Sequence, residues 1–160
     1  MKTIKNTLRT LTFVAVLAAF SSCTKNSDEC KDVPPEQEES VMRSFMAANG
    51  MTGVKSPEGM FYQILDEGGL AKPNTNSTIY VIYKGTHMDG SVFDEQTNPG
   101  ATGFRLLEMI QGWQKAMPMI GKGGRMRLIV PSSLAYGCEG RGEIDPNTPL
   151  YFEFTLVDFL

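Results

Sequence analysis

The run from Gly112 to Gly137, GWQKAMPMIGKGGRMRLIVPSSLAYG, joins a short helix, a strand and a tyrosine-bearing loop with almost no slack. Residues from about Gln111 to Met117 have helical character, and Pro118 stops them because a proline ring cannot continue a helix. Glycines follow. From Gly124 to Val130, Met126, Leu128 and Val130 alternate with Arg125, Arg127 and Ile129. That period of two predicts a strand with one apolar face. Pro131 then opens a loop that ends in Leu134-Ala135-Tyr136-Gly137.

The flanking segments repeat the strand pattern. Met60 to Leu65 reads as a first strand, closed by Gly68-Gly69 and Pro73. In Thr78 to Lys84, Ile79, Val81 and Tyr83 face one way while Tyr80 and Ile82 face the other. The segment VIYKGTHMDGSVFDE, Val81 to Glu95, then turns at Asp89-Gly90 and presents Phe93 beside Asp94 on a strand from Ser91 to Asp94. The last strand, Leu150 to Phe159, alternates with Phe152, Phe154 and Leu156 inward. Strands with one apolar face need a cover, and one amphipathic helix lying across a bent antiparallel sheet supplies it. The expected class is therefore α+β, a bent antiparallel β-sheet wrapped on one short α-helix. Such a sheet would gather Tyr83, Phe93, Phe104, Trp113 and Phe152 around one apolar hole, with Tyr136 at its rim.

This set of linked motifs, in this order over roughly Gly59 to Leu160, closely resembles the FKBP-type peptidyl-prolyl isomerases. The resemblance implies an FKBP-like fold for residues 57–160 and an enzyme that rotates Xaa-Pro bonds in proline-containing polypeptides. It implies Trp113 as the floor on which a proline ring stacks, with Tyr83, Phe93, Phe104 and Phe152 as walls. Met109 becomes a side wall, and the N–H of Ile110 a donor to a substrate carbonyl, since the first N–H groups of a helix have no partner within it. Asp94 is placed at the pocket edge, bonded to Tyr83, and Tyr136 donates its hydroxyl to substrate. Macrolide-type FKBP ligands would enter the same cup. Amide rotation breaks no covalent bond, so the resemblance implies no cofactor and no metal. The chain departs from the family pattern at Pro131-Ser132 and Asp145-Pro146, where Pro-Pro is common, and carries Arg141 and Glu143 in the loop over the pocket. Those changes touch the rim, where substrate preference is set. A second reading of the same fold is a binding or chaperone module without significant turnover.

The N-terminus reads as an address. Lys2, Lys5 and Arg9 precede the apolar run Leu11–Phe20, which is too short to span a bilayer comfortably and is followed by small residues. Residues 1–22 are expected to be a signal peptide, with Cys23 resembling a lipoprotein acylation site in spite of Phe20. The expected location is the bacterial cell envelope, periplasmic or surface-facing, with the membrane held through a lipid anchor. Removing 1–22 takes the formal charge from −3 to −6 and the length from 160 to 138 residues, enough for one domain. An acidic chain without a basic stripe gives no support for nucleic-acid binding. Residues 23–40 are polar and acidic, with Pro34-Pro35 in their midst, and are expected to form a flexible tether. Asp28-Glu29 resembles export signals of some surface lipoproteins, though a solvated spacer is the plainer reading. Residues 41–56 read as a helical extension, with Val41, Met42, Phe45 and Met46 on one face and Asn49-Gly50 as the stop, packed on the domain or pairing two copies. Cys30 in the tether and Cys138 in a loop are expected as free thiols rather than a bridge. With His87 the only histidine, a catalytic cysteine has no spare base.

Overall fold

The computed structural model describes residues 30–98, 100 and 102–160. The expected signal segment, 1–22, and Cys23 lie outside them. Helix α1 spans Pro35–Ala48, and the strands are β1 (Val54–Lys55), β2 (Phe61–Asp66), β3 (Thr78–Thr86), β4 (Val92–Gln96) and β5 (Phe104–Arg105). Helix α2 (Gln111–Ala116) precedes β6 (Arg125–Val130) and β7 (Leu150–Phe159). All pairings are antiparallel, and the sheet runs β1-β2-β6-β7-β3-β4, with β5 also on β3. Strand β3 gives one edge to β7 and divides the other between β5 at its start and β4 at its end.

The inner face is the expected one. Ile79, Val81, Met126, Leu128, Val130, Phe152, Phe154 and Leu156 are buried there with Trp113, Ala116, Met117 and Ile120. Gly112 lets α2 lie close to the sheet, because a Cβ at that position would stand 2.5 Å from Val130 Cγ1. Helix α2 ends at Ala116, and Pro118 sits inside a 3-10 turn, Met117–Met119, that carries the chain one turn further.

The outer face differs from the sequence expectation. Ile129, grouped by alternation with two arginines, is fully buried. It belongs to a second core with Met42, Phe45 and Met46 of α1, plus Met51, Phe61 and Tyr151. Phe45 and Tyr151 pack with ring centroids 4.8 Å apart. Helix α1 therefore docks on the back of the sheet, and each of its buried apolar side chains contributes roughly 1.5–3 kcal/mol.

Two expectations about the chain's start are corrected. The stretch expected as tether through residue 40 is helical from Pro35, so the helical extension begins earlier than 41. Pro35 occupies the first turn, where its missing N–H was never needed, and Glu36 and Glu38 in that turn favour the positive end of the helix dipole. Composition marked residues 23–40 as unable to order themselves, whereas tertiary contacts hold the part from Cys30 onward. Likewise, Cys30 and Cys138 are joined in a disulfide, with Cα atoms 5.4 Å apart across 108 residues of sequence. Docking of α1 brings the start of the described chain beside the β6–β7 loop, a proximity that no local pattern reveals.

Candidate active site

The inner face opens at one end into a cavity of about 100 Å³. The nine residues expected as walls, floor and polar groups of the pocket line it, whereas Glu143 does not: Tyr83 and Phe152 from β3 and β7, Phe93 and Asp94 from β4, Phe104 from β5, Met109, Ile110 and Trp113 around the start of α2, and Tyr136 from the β6–β7 loop. Trp113 is 4% exposed and forms the base. Its ring meets Tyr83 at 5.0 Å and 85° and Phe152 at 5.4 Å and 82°. Phe93 meets Phe152 at 5.7 Å and 90°, and Phe104 meets Tyr83 at 6.2 Å and 72°. These edge-to-face contacts favour the ring quadrupoles and fix the walls against one another.

One wall depends on a residue that sequence reasoning missed. Gly85 pairs with Asp94 on β4 and with Phe152 on β7. A Cβ there would lie 2.6 Å from Phe93 Cζ and 3.0 Å from Phe152 Cε1. The absent side chain is the space that the Phe93 ring fills. Its only sequence signal is a glycine inside a strand pattern, which marks a close approach.

The charged groups sit at the edge, whereas the indole nitrogen of Trp113 is buried in the base with no hydrogen-bond partner among the described residues. Tyr83 donates its hydroxyl hydrogen to Asp94 Oδ2 at 2.6 Å. Burial, and secondarily this bond to a carboxylate, push the Tyr83 phenol well above its ordinary value, so it remains a donor. Gln114 Nε2 donates to the carbonyls of Leu107 at 3.1 Å and Met109 at 2.8 Å, which pins the corner leading into α2. Ile110 is the N-cap residue of that helix, and no acceptor among the described residues engages its N–H. Two charged residues also line the cavity. Arg141, foreseen over the pocket, lies with its guanidinium 5.6 Å from the Tyr136 ring centroid. Glu108, not foreseen, ends the 3-10 turn before Met109 and pairs with Arg105 at 3.3 Å. His87 stands outside the cavity lining, its ring 5.2 Å from Phe93. Among the described residues, no group of three His, Cys, Asp or Glu side chains could hold a metal ion.

An aromatic cup with the Tyr83–Asp94 pair and the Tyr136 ring in its lining defines a class. Residues 69–157 match the family described as FKBP-type peptidyl-prolyl cis-trans isomerase, and the chain belongs to that family. Among its relatives, the FKBP-type peptidyl-prolyl cis-trans isomerase FkpA of Escherichia coli K12 is 41% identical over 108 residues, covering 66% of this chain and 40% of the relative. The outer membrane protein MIP of Legionella longbeachae is 36% identical over 118 residues, covering 71% of this chain and 51% of that protein. The chain thus spans about half or less of the length of these two relatives. Among solved structures, a peptidyl-prolyl cis-trans isomerase from Pseudomonas syringae superposes with a TM-score of 0.65 at 37% identity, covering 81% of this chain and 98% of the other. FkpA of Escherichia coli superposes with a TM-score of 0.68 at 34% identity, covering 79% of this chain and 60% of the other.

Proposed function

We propose that this protein is a peptidyl-prolyl cis-trans isomerase that rotates Xaa-Pro bonds in exported polypeptides. One observation carries the reading: six aromatic side chains line a cavity of about 100 Å³, with the charged groups of Asp94, Glu108 and Arg141 exposed at its lip. An apolar cavity of about 150 Å³ takes a benzene ring, so this space suits a single small ring such as that of proline.

The barrier to rotation is the amide resonance lost as the C–N bond twists. Water stabilises the planar, dipolar amide more than the twisted one, in which the nitrogen is no longer conjugated. Moving the bond into the cup withdraws that stabilisation from the ground state, and the gain appears only in the transition state. Trp113 receives the ring from below, and Phe93, Phe104, Tyr83 and Phe152 exclude water from the sides. The N–H of Ile110 and the hydroxyl of Tyr136 hold the flanking carbonyls, while Asp94 orients Tyr83 at the edge of the cup. A thousandfold acceleration requires only about 4 kcal/mol, which desolvation and two aimed hydrogen bonds can supply without any proton transfer. Macrolide-type FKBP ligands would occupy the same cup.

The natural setting we infer is the bacterial envelope, with cleavage after residue 22 and acylation at Cys23. Support comes from the basic and apolar pattern of residues 1–22 and from the name of the relative called an outer membrane protein. Among the described residues no helix is long and apolar enough to cross a membrane. Mass spectrometry of the mature N-terminus tests this part, and an unmodified Cys23 would refute the anchor.

The activity is tested with a short Xaa-Pro peptide and the Asp94→Ala variant. Wild type should turn over, and the variant should lose most kcat/KM at nearly unchanged Tm, because Asp94 is exposed at the cavity edge. Binding of proline peptides by wild type without turnover would instead mark a binding or chaperone module.

A further inference from the structure

The loop between β6 and β7, residues 131–149, gives the cavity both Tyr136 and Arg141. Its own backbone bonds are local, among them Gly137 N–H to Ser132 O, Gly140 N–H to Tyr136 O and Asn147 N–H to Gly137 O. None of them ties the Tyr136 stretch to the sheet. Leu134, Ala135, Tyr136 and Ile144 pack against the main core, and the segment from Cys30 to Glu38 adds a grip on Ser132, Cys138 and Asn147 that brackets the tyrosine.

Before Tyr136, the Glu38 carboxylate accepts the Ser132 N–H at 2.8 Å and the Ser132 hydroxyl through its other oxygen. Both residues are buried, at 6% and 0% exposure, so this contact is shielded from water. After Tyr136, Asp32 Oδ1 accepts the Cys138 N–H at 2.8 Å, and Cys30 is bonded to the Cys138 sulfur. At the loop's far end, the Val33 N–H donates to Asn147 Oδ1 at 3.2 Å. Backbone conformation is committed to the same grip. Gly137 has φ of 56°, and a Cβ there would strike Asp32 Oδ1 at 2.4 Å. Asn147, with φ of 53°, is the one non-glycine residue of positive φ among those described.

We propose that residues 30–38 form a positioning strap for the active-site rim: they hold the Tyr136 loop in its substrate-binding geometry, and the Cys30–Cys138 bond makes that hold dependent on redox state. Tyr136 and Arg141 are the residues that would meet substrate, and Asp32, Glu38 and the disulfide act through them. The inference rests on the isomerase reading for its kinetic consequence. A rim donor displaced by about 1 Å loses its aim, and such misplacement weakens substrate binding although no contacting group has changed. Release is a thiol–disulfide exchange with a dithiol reductant. One reductant thiolate attacks a sulfur of the bridge and expels the other as a thiolate. The second reductant thiol then resolves the mixed disulfide, leaving two protein thiols and an oxidised reductant. Cys30 is exposed and Cys138 half-buried, so the bond is within reach of such a reagent.

The test uses the full chain, oxidised and then reduced with dithiothreitol and alkylated, beside the Cys30→Ser/Cys138→Ser, Asp32→Ala and Asp32→Asn variants. Steady-state kinetics on an Xaa-Pro peptide and hydrogen exchange of backbone amides are read below the Tm of each form. Reduction and Asp32→Ala should each raise KM roughly 3- to 10-fold, the scale of one lost hydrogen bond, with a smaller change in kcat. Asp32→Asn keeps the accepting oxygen and should restore wild-type KM. The double serine variant should behave as the reduced protein and ignore dithiothreitol. Exchange should rise across residues 134–142 while β3, β6 and β7 stay protected. Unchanged exchange in the loop on reduction would overturn the proposal whatever the turnover. So would an unchanged KM in an active enzyme whose Tm alone falls, because the strap would then only stabilise the fold. If the oxidised protein shows no turnover yet the loop opens on reduction, the strap stands and the isomerase reading fails.

Discussion

Replacing Gly85 by alanine perturbs the cup without altering any group that would touch substrate. The new Cβ would lie 2.6 and 2.9 Å from two atoms of the Phe93 ring and 3.0 Å from Phe152 Cε1. Carbon atoms pack comfortably at about 3.5–4.0 Å, so one ring must retreat by nearly 1 Å. Phe152 has no room: it is 3% exposed and wedged against Trp113 at 5.4 Å. Phe93 is half-buried and can swing outward. Overpacking of this kind costs about 1–3 kcal/mol, and the freedom of Phe93 places the expected value near 1. For a domain of this size that lowers Tm by about 4 °C. The functional loss should be larger than the stability loss, because the displaced ring is a wall of the cup and a misplacement of about 1 Å can reduce catalysis up to 100-fold. Thermal denaturation by circular dichroism and kcat/KM on an Xaa-Pro peptide measure the two effects. Adding Phe93→Leu should recover much of the Tm without recovering the rate. A folded Gly85→Ala protein with a lowered Tm but wild-type kcat/KM and macrolide affinity would refute the reasoning, since the Phe93 wall would then not belong to the site.

Other perturbations separate the roles assigned to individual groups. Trp113→Ala should abolish most macrolide binding and lower stability by about 3–5 kcal/mol, whereas Trp113→Leu keeps apolar surface under the ring and should be milder in both; unchanged affinity in a folded Ala variant removes Trp113 from the site. Burial raises the Glu38 carboxyl above its ordinary value, with Asp32 adding to the shift and the Ser132 bonds opposing it. Its folded pKa therefore exceeds its unfolded one, so its contribution is complete below about pH 4.5 and lost as pH rises through the raised value. Glu38→Gln can still accept from the Ser132 N–H and donate to its hydroxyl, so in urea titrations it should gain on wild type as pH rises from 4.5 to 7; a difference that does not vary with pH would contradict this. The isomerisation rate per folded molecule should stay flat from about pH 6 to 8, because rotation transfers no proton. His87→Asn should leave that profile unchanged although His87 packs on Phe93, and a bell-shaped profile that flattens in this variant would point to acid–base chemistry.

How much of this was legible beforehand follows the range of each interaction. Alternation in Arg125–Val130 and Leu150–Phe159 and the spacing of Trp113 from Pro118 are local features, and they were enough for the α+β class and the inner face of the sheet. The aromatic residues carry a linked set of family motifs, so all nine pocket residues singled out from the sequence could be named before their geometry was known. Short range is also where such reading stops. Ile129 reads as part of a polar face until α1 covers it, and Pro34-Pro35 reads as part of a flexible tether until Pro35 occupies the first turn of a helix. Gly85 is one glycine among sixteen until the register of β3 sets it under Phe93. The strap needed the tertiary structure most of all, since Glu38 meets Ser132 across 94 residues and Cys30 meets Cys138 across 108. Side-chain periodicity tells a segment which of its own faces is apolar. Which distant segment arrives to cover that face depends on how the sheet folds, and so does the grip that the start of the chain takes on the rim of its pocket.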